Sequence, residues 1–231
     1  MPRPGPSPGP DPATEGRTVQ DAVAEAWEEV VAAARRSVAD GLVVGTSGNV
    51  SARVGELVVV TPTGVPYERL RPADLVAVGL DGRQVRGELR PTSELPLHLA
   101  VYRATDAGAI VHTHAPHATA VTLLTDELPP VHYMTAALGG PVRVAPYALY
   151  GTEELAAGAV AALRGRTACL LANHGTLAHA ATLTRAYEHT AQLEWMSRVW
   201  LLATSAGRPR TLSADDLAAA SAALAAYGQP H

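Results

Sequence analysis

Two structural periods meet within residues 91–117, which read PTSELPLHLAVYRATDAGAIVHTHAPH. Ser93 to Arg103 suits a helix, with Thr92 or Ser93 to cap it and Pro96 tolerable near its first turn. Ala109 to His112 suits a short buried strand. A helix followed so closely by a strand points to an α/β arrangement. The strand also runs straight into His112-Thr113-His114, and residues two apart on a strand face the same way, so both imidazoles project together. Zinc takes such ligands tetrahedrally at about 2.0–2.1 Å. Glu94 upstream and His174 downstream, in Asn173-His174-Gly175, complete a set of three histidines and a carboxylate. An H-x-H pair alone is weak, because strand-end histidines are often satisfied by backbone or water. Here the apolar run stops at the histidines and Pro116 begins turn chemistry, so their tips should open on a sheet edge or cleft.

The rest of the chain supports the same class. Residues 1–17 carry proline and glycine without apolar periodicity and are expected to form a disordered tail ahead of one catalytic domain, 18–231. Helices are expected from Thr18 to Asp40, with Val19, Val23, Trp27, Val30 and Val31 as the inward stripe, and at Pro116–Leu124, Thr152–Leu163, Thr182–Ala206 and Ser213–Ala226. In the long fifth helix Tyr187, Leu193, Met196 and Trp200 should point inward. Strands are expected at Glu56–Thr61, Asp74–Leu80, Gln84–Gly87, Val142–Ala145 and Ala168–Ala172, whereas Leu42–Arg53 reads mainly as a turn-rich segment. Helices mixed with hairpin signals indicate a three-layer α/β/α fold with a mixed, largely antiparallel central sheet.

Composition excludes several chemistries. All 18 basic residues are arginine, so no lysine can form a Schiff base or occupy a Walker loop. The net charge of −4 leaves no basic footprint for nucleic acid and no polybasic patch for a membrane surface. The single cysteine, Cys169, lies in an apolar run and cannot form an internal disulfide, which fits a buried thiol in a reducing cytoplasm. Without lysine, a phosphate is best held by glycine turns, helix starts and hydroxyls. Gly45-Thr46-Ser47-Gly48-Asn49, Thr61-Pro62-Thr63-Gly64 and Pro91-Thr92-Ser93-Glu94 are three such segments. Each could equally be ordinary turn chemistry, but the third places a helix start beside Glu94.

The ordered set GTSGNVS, TPTGVPYERL, the SE of PTSE, VHTHAPHATAV, VHYMTAALGG, APYALYGTEEL and NHGTLA resembles the class II aldolase/adducin family, from about residue 20 to Tyr227. The resemblance implies a homotetramer with sites at subunit boundaries, acting on a small sugar phosphate. It places zinc on His112, His114 and His174, and the acid–base carboxylate, which also approaches the metal, on Glu94. It assigns phosphate binding to Thr46, Gly48, Asn49, Thr63, Gly64, Thr92 and Ser93, and proton transfer and closure on the aldehyde side to Tyr133 and Tyr227. Tyr150 stands where the family pattern leads us to expect phenylalanine. The implied reaction is reversible cleavage of a ketose 1-phosphate to dihydroxyacetone phosphate and a short aldehyde. Sugar-phosphate 4-epimerases of this fold usually carry aspartate at the Glu94 position, and noncatalytic adducin-type domains lack the histidines. A related dehydratase is a further alternative, and a zinc hydrolase using the same three histidines is disfavoured by the phosphate-suited loops. His98, one helical turn after Glu94, could tune the carboxylate or simply pack. His117 and His132 flank the site motifs.

Overall fold

The computed structural model describes residues 18–227, so the expected tail at 1–17 lies outside the described residues. Helix α1 (Val19–Ala39) opens with a capping box between Thr18 and Asp21. Four strands follow, then a helix, a strand and a helix: β1 (Asn49–Val54), β2 (Leu57–Val60), β3 (Val76–Gly79), β4 (Gln84–Arg86), α2 (Leu95–Ala104), β5 (Ala109–Thr113) and α3 (Pro116–Thr122). The second half contains β6 (Glu127–Leu128), a 3-10 helix at Tyr133–Leu138, β7 (Val142–Ala145), α4 (Glu153–Ala162), β8 (Ala168–Leu171), β9 (Gly175–Ala180), α5 (Leu183–Ala206) and α6 (Ala214–Ala225). The strands form one sheet in the order β4-β3-β2-β1-β5-β9-β8-β7-β6. Every pairing is antiparallel except β7 with β8.

The strand period of two sorts side chains between two cores. Val50, Ala52, Val111, Leu170 and Ala178 face α1, α3 and α5, whereas Val58, Val60, Ile110, Cys169 and Leu177 face α2 and α4. This is the expected three-layer α/β/α arrangement, and Cys169 is buried as expected. On the α1 stripe Val23, Trp27 and Val30 are buried, but Val19 in the first turn is exposed. Tyr187, Leu193 and Met196 of α5 are buried, while Trp200 only borders the core. Tyr187 also donates to Asp40 and lies under the Arg36 guanidinium, tying α5 to the end of α1.

Two local readings are corrected, and one strand was not anticipated. The segment read mainly as turn, Leu42–Arg53, contains β1, whose polar Asn49 and Ser51 mask its alternation although they too are buried. Strand β9 follows the NHG turn and pairs with both β5 and β8. Helix α2 begins at Leu95 with Glu94 at its N-cap and no side-chain cap; Thr92 Oγ1 instead accepts from the Glu94 amide, forming a hydroxyl turn before the helix.

Candidate metal centre and active site

The centre lies where the ends of β5, β9 and α2 meet. Because Val111 points to the α1 and α5 face, His112 shares the α2 face with Ile110. Register pairs His112 with Leu177 and with Asn49. The His112 Nδ1 donates to the Thr176 carbonyl at 2.7 Å, which turns Nε2 toward the site. His174 sits in the short turn from β8 to β9, where Asn173 adopts φ 54° and the His174 amide closes on the Leu171 carbonyl. Gly175 is needed beside it, since a Cβ there would stand 2.1 Å from the Thr113 carbonyl oxygen.

Glu94, His112, His114 and His174 present ligand atoms that all lie within 4.8 Å of one another. The three rings are 4.8–5.0 Å apart, with interplanar angles of 71°, 78° and 87°, so each aims an edge at a common centre. Tetrahedral ligands about 2.0–2.1 Å from a small divalent ion stand roughly 3.3 Å apart. Observed separations are 3.1 Å between the His112 and His114 Nε2 atoms, 3.0 Å from His112 to Glu94 Oε2 and 3.4 Å from His174 to Glu94 Oε1. Glu94 Oε1 is buried without a hydrogen-bond partner. An orphaned carboxylate oxygen among converging imidazole nitrogens is the donor set of a divalent cation, and the residues fit one.

Electrostatics agree. Burial pushes His114 down to about 3 and His174 down to about 4, with the nearby His112 charge adding to both, so these two are neutral and ready to ligate. Burial opposes charge on His112, but the adjacent Glu94 carboxylate outweighs it and raises that imidazole. Burial would raise Glu94; the His112 charge and hydrogen bonds from His112 and Asn49 hold it well below the usual carboxylate range.

A cleft of about 350 Å³ opens over the cluster, lined by Thr46, Gly48, Asn49, Thr63, Gly64, Thr92, Ser93, Glu94, His114, His174 and Tyr150. All three glycine and hydroxyl segments therefore reach one cavity with Glu94, His114 and His174. Tyr67 donates to the Gly48 carbonyl at 2.6 Å, anchoring the first loop, and the Thr92 amide donates to the Thr61 carbonyl at 3.1 Å, joining the other two. Gly48, at φ 78°, packs against the His112 carbonyl, where a Cβ would come within 2.8 Å. Asn49 behaves differently from expectation: its side chain donates to Glu94 Oε2 at 2.9 Å and meets His98. Tyr147, which the sequence reading passed over, also lines the cleft. A larger groove of about 870 Å³ between the N-terminal ends of α1 and α5 contains none of these groups.

Tyr133 and Tyr227 do not face the metal cluster of their own chain. They share a second groove with the 3-10 helix and α6, and both are exposed. His132 caps that 3-10 helix, lies tilted against Tyr133 and meets Trp195 edge-on. His117 bonds Glu194, whose carboxylate also accepts the His117 and Ala118 amides at the start of α3.

Residues 28–201 match the family described as the Class II Aldolase and Adducin N-terminal domain. The chain belongs to this family. It is 38% identical over 205 residues to a 5-deoxy-D-ribulose 1-phosphate aldolase of Bacillus thuringiensis serovar kurstaki, covering 87% of this chain and 96% of that one. It is 39% identical over 178 residues to an L-fuculose phosphate aldolase of Escherichia coli K12, covering 76% and 82%. A solved L-fuculose 1-phosphate aldolase superposes with a TM-score of 0.85 at 36% identity, covering 87% of this chain and 96% of that one. The chain is thus an enzyme, a carbon–carbon lyase of the class II aldolase type. No helix among the described residues is long and apolar enough to cross a membrane.

Proposed function

We propose that the enzyme is a zinc-dependent aldolase that reversibly cleaves a ketose 1-phosphate to dihydroxyacetone phosphate and a short aldehyde. L-fuculose 1-phosphate and 5-deoxy or 5-substituted pentulose 1-phosphates are the substrate class. One observation carries the reading: a three-histidine, one-glutamate cluster shares a cleft with three phosphate-suited loops in a chain without lysine. His112, His114 and His174, with Glu94, hold the ion. Bound there, zinc would supply the electron sink that a lysine iminium could otherwise provide, and the chain has no lysine.

Thr46, Gly48, Thr63, Gly64, Thr92 and Ser93 hold the phosphate through amides and hydroxyls, which fixes the distance from phosphate to reacting carbons. Asn49 joins them through its backbone, since its amide is engaged by Glu94 and His98. Cleavage breaks C3–C4 and leaves the electron pair at C3. Glu94 returns a proton to C3 in that direction, and removes it from dihydroxyacetone phosphate in synthesis. Tyr133, supplied by a neighbouring subunit, exchanges a proton with the C4 oxygen, and Tyr227 closes the aldehyde side. Their position in a separate groove of the same chain supports a homotetramer with sites at its boundaries.

The test incubates metal-replete enzyme with dihydroxyacetone phosphate and a panel of lactaldehyde, acetaldehyde and 2-substituted acetaldehydes. A ketose 1-phosphate product is expected from at least one aldehyde. Failure to condense any of them, with no dihydroxyacetone phosphate released from fuculose or pentulose 1-phosphates, overturns the reading.

A further inference from the structure

Behind Glu94 runs a buried chain of polar side chains reaching away from the cleft. Asn49 Nδ2 lies 2.9 Å from Glu94 Oε2, Asn49 Oδ1 meets His98 Nε2, and His98 Nδ1 lies 2.7 Å from Ser51 Oγ. Ser51 Oγ in turn lies 2.8 Å from the Tyr102 hydroxyl. Glu94, His98 and Tyr102 recur at i, i+4 and i+8 along the buried face of α2, and Asn49 and Ser51 recur at i and i+2 on β1. All five are at most 5% exposed.

The protons in this chain can be assigned by elimination. An ionised carboxylate only accepts, so Asn49 Nδ2–H donates to it. The amide oxygen then faces His98, which must donate from Nε2–H. That leaves Nδ1 bare to accept from the Ser51 hydroxyl, and Ser51 must accept from Tyr102. Every bond points toward Glu94, and each buried group is satisfied by its neighbour. The assignment also divides the carboxylate, since Oε2 receives Asn49 whereas Oε1 has no donor.

We propose that His98 is a positioning residue for the aldolase reaction: through Asn49 it fixes the Glu94 carboxylate so that Oε1 is the oxygen that exchanges the C3 proton. This rests on the role of Glu94 proposed above. Without the His98 donor, the Asn49 oxygen is a buried acceptor without a partner. The amide then turns, and Glu94 loses the Asn49 donor and the orientation which that bond imposes. Outer hydrogen-bond partners of metal-site groups have effects of about 10–100-fold when removed.

The experiment compares metal-replete wild type, His98→Leu and His98→Gln. Leucine keeps apolar bulk without a donor, and glutamine offers an N–H near the position of Nε2. Metal content, KM for the ketose 1-phosphate, kcat, and exchange of the C3 proton of dihydroxyacetone phosphate in deuterated water are measured. In His98→Leu, kcat and exchange should fall at least about tenfold, with metal stoichiometry and KM held within about twofold. His98→Gln should restore most of the loss. Ser51→Ala, a smaller change that strips the acceptor role from Nδ1 without emptying the helix face, should lose exchange severalfold should the leucine variant not fold. Exchange within about twofold of wild type in both His98→Leu and Ser51→Ala overturns the inference while leaving the function intact. So does a loss that tracks metal content, or glutamine behaving like leucine. Wild-type enzyme that neither exchanges the C3 proton nor condenses any aldehyde overturns both readings; condensation without exchange overturns the division of labour within Glu94.

Discussion

Gly175→Ala puts a methyl group into the tightest crossing of the metal centre. Gly175 pairs with Leu171 and lies against the end of β5, where an added Cβ would sit 2.1 Å from the Thr113 carbonyl oxygen and 3.2 Å from the His114 Cα. Real Cβ atoms essentially never approach closer than 3.0 Å, so β5 and β9 must separate by about 0.9 Å. The neighbour is backbone at the end of β5, which carries His112 and runs directly into His114, and it has no flexible end to swing aside. Overpacking of this kind costs about 1–3 kcal/mol. For a chain of this size each kcal/mol lowers Tm by about 2–4 °C, so the metal-free variant should melt roughly 2–12 °C below wild type. Metal ligation tolerates about ±0.2 Å, so moving His174 away from His112 and His114 should weaken metal binding by at least about tenfold. Gly158→Ala in α4 is the control, because its Cβ would meet only the Ala145 methyl at 3.8 Å. It should stabilise by about 0.4–1 kcal/mol. Elemental analysis after dialysis against a competing chelator, with thermal melts, reads both effects. Wild-type metal affinity and Tm in Gly175→Ala would show that the strand crossing does not set the geometry of the centre.

Other substitutions separate the proposed roles. His114→Ala should lose metal affinity by more than about 100-fold and lose turnover with it; full activity at undetectable divalent metal contradicts the ligand set. Tyr133→Phe should slow cleavage but leave C3 proton exchange intact, since it acts at the C4 oxygen; equal loss of both would put the hydroxyl elsewhere. Tyr150→Phe should change relative kcat/KM across aldehydes and spare binding of dihydroxyacetone phosphate, because the ring lines the cleft; a uniform effect on all aldehydes contradicts that placement. Burial, helped by the His112 charge, pushes His98 down to about 3 from the ordinary 6.5. The unfolded chain therefore binds a proton that the folded form refuses, so stability from neutral His98 is full above about pH 6.5 and drains as pH falls toward 3. His98→Gln should flatten the fall of Tm between pH 6 and pH 4 in metal-free protein; identical slopes would show that His98 titrates freely.

The strongest periodicities in the sequence became the structure they indicated. The α1 stripe buries one face against the sheet, the apolar runs of β5 and β8 bury both faces between the helix layers, and nothing local competes with that pattern. β1 escaped notice because Asn49 and Ser51 are polar yet buried, so alternation of polarity does not report their burial. The cluster was legible because His112, on the end of β5, and His114, one residue past it, still bring their Nε2 atoms within 3.1 Å, and because His174 sits in a turn marked by Asn and Gly. The relay behind Glu94 was partly written in the chain as Glu94, His98 and Tyr102 spaced by four on an otherwise apolar helix. Its link through Asn49 and Ser51 depends on which strand lies beneath α2, which spacing along the chain does not encode. The two grooves holding Glu94 and Tyr133 are likewise separated by tertiary placement and not by sequence distance.

Proton exchange at C3 of dihydroxyacetone phosphate, followed by NMR in deuterated water without any aldehyde, isolates the half-reaction assigned to Glu94 and the ion. Wild-type enzyme loaded with zinc should exchange one C3 hydrogen stereospecifically, chelated enzyme should not, and zinc should restore the exchange. Glu94→Gln should retain substantial zinc on the three histidines and show no exchange. Undiminished exchange in Glu94→Gln, or in enzyme with undetectable divalent metal, would contradict the division of labour between the carboxylate and the metal centre.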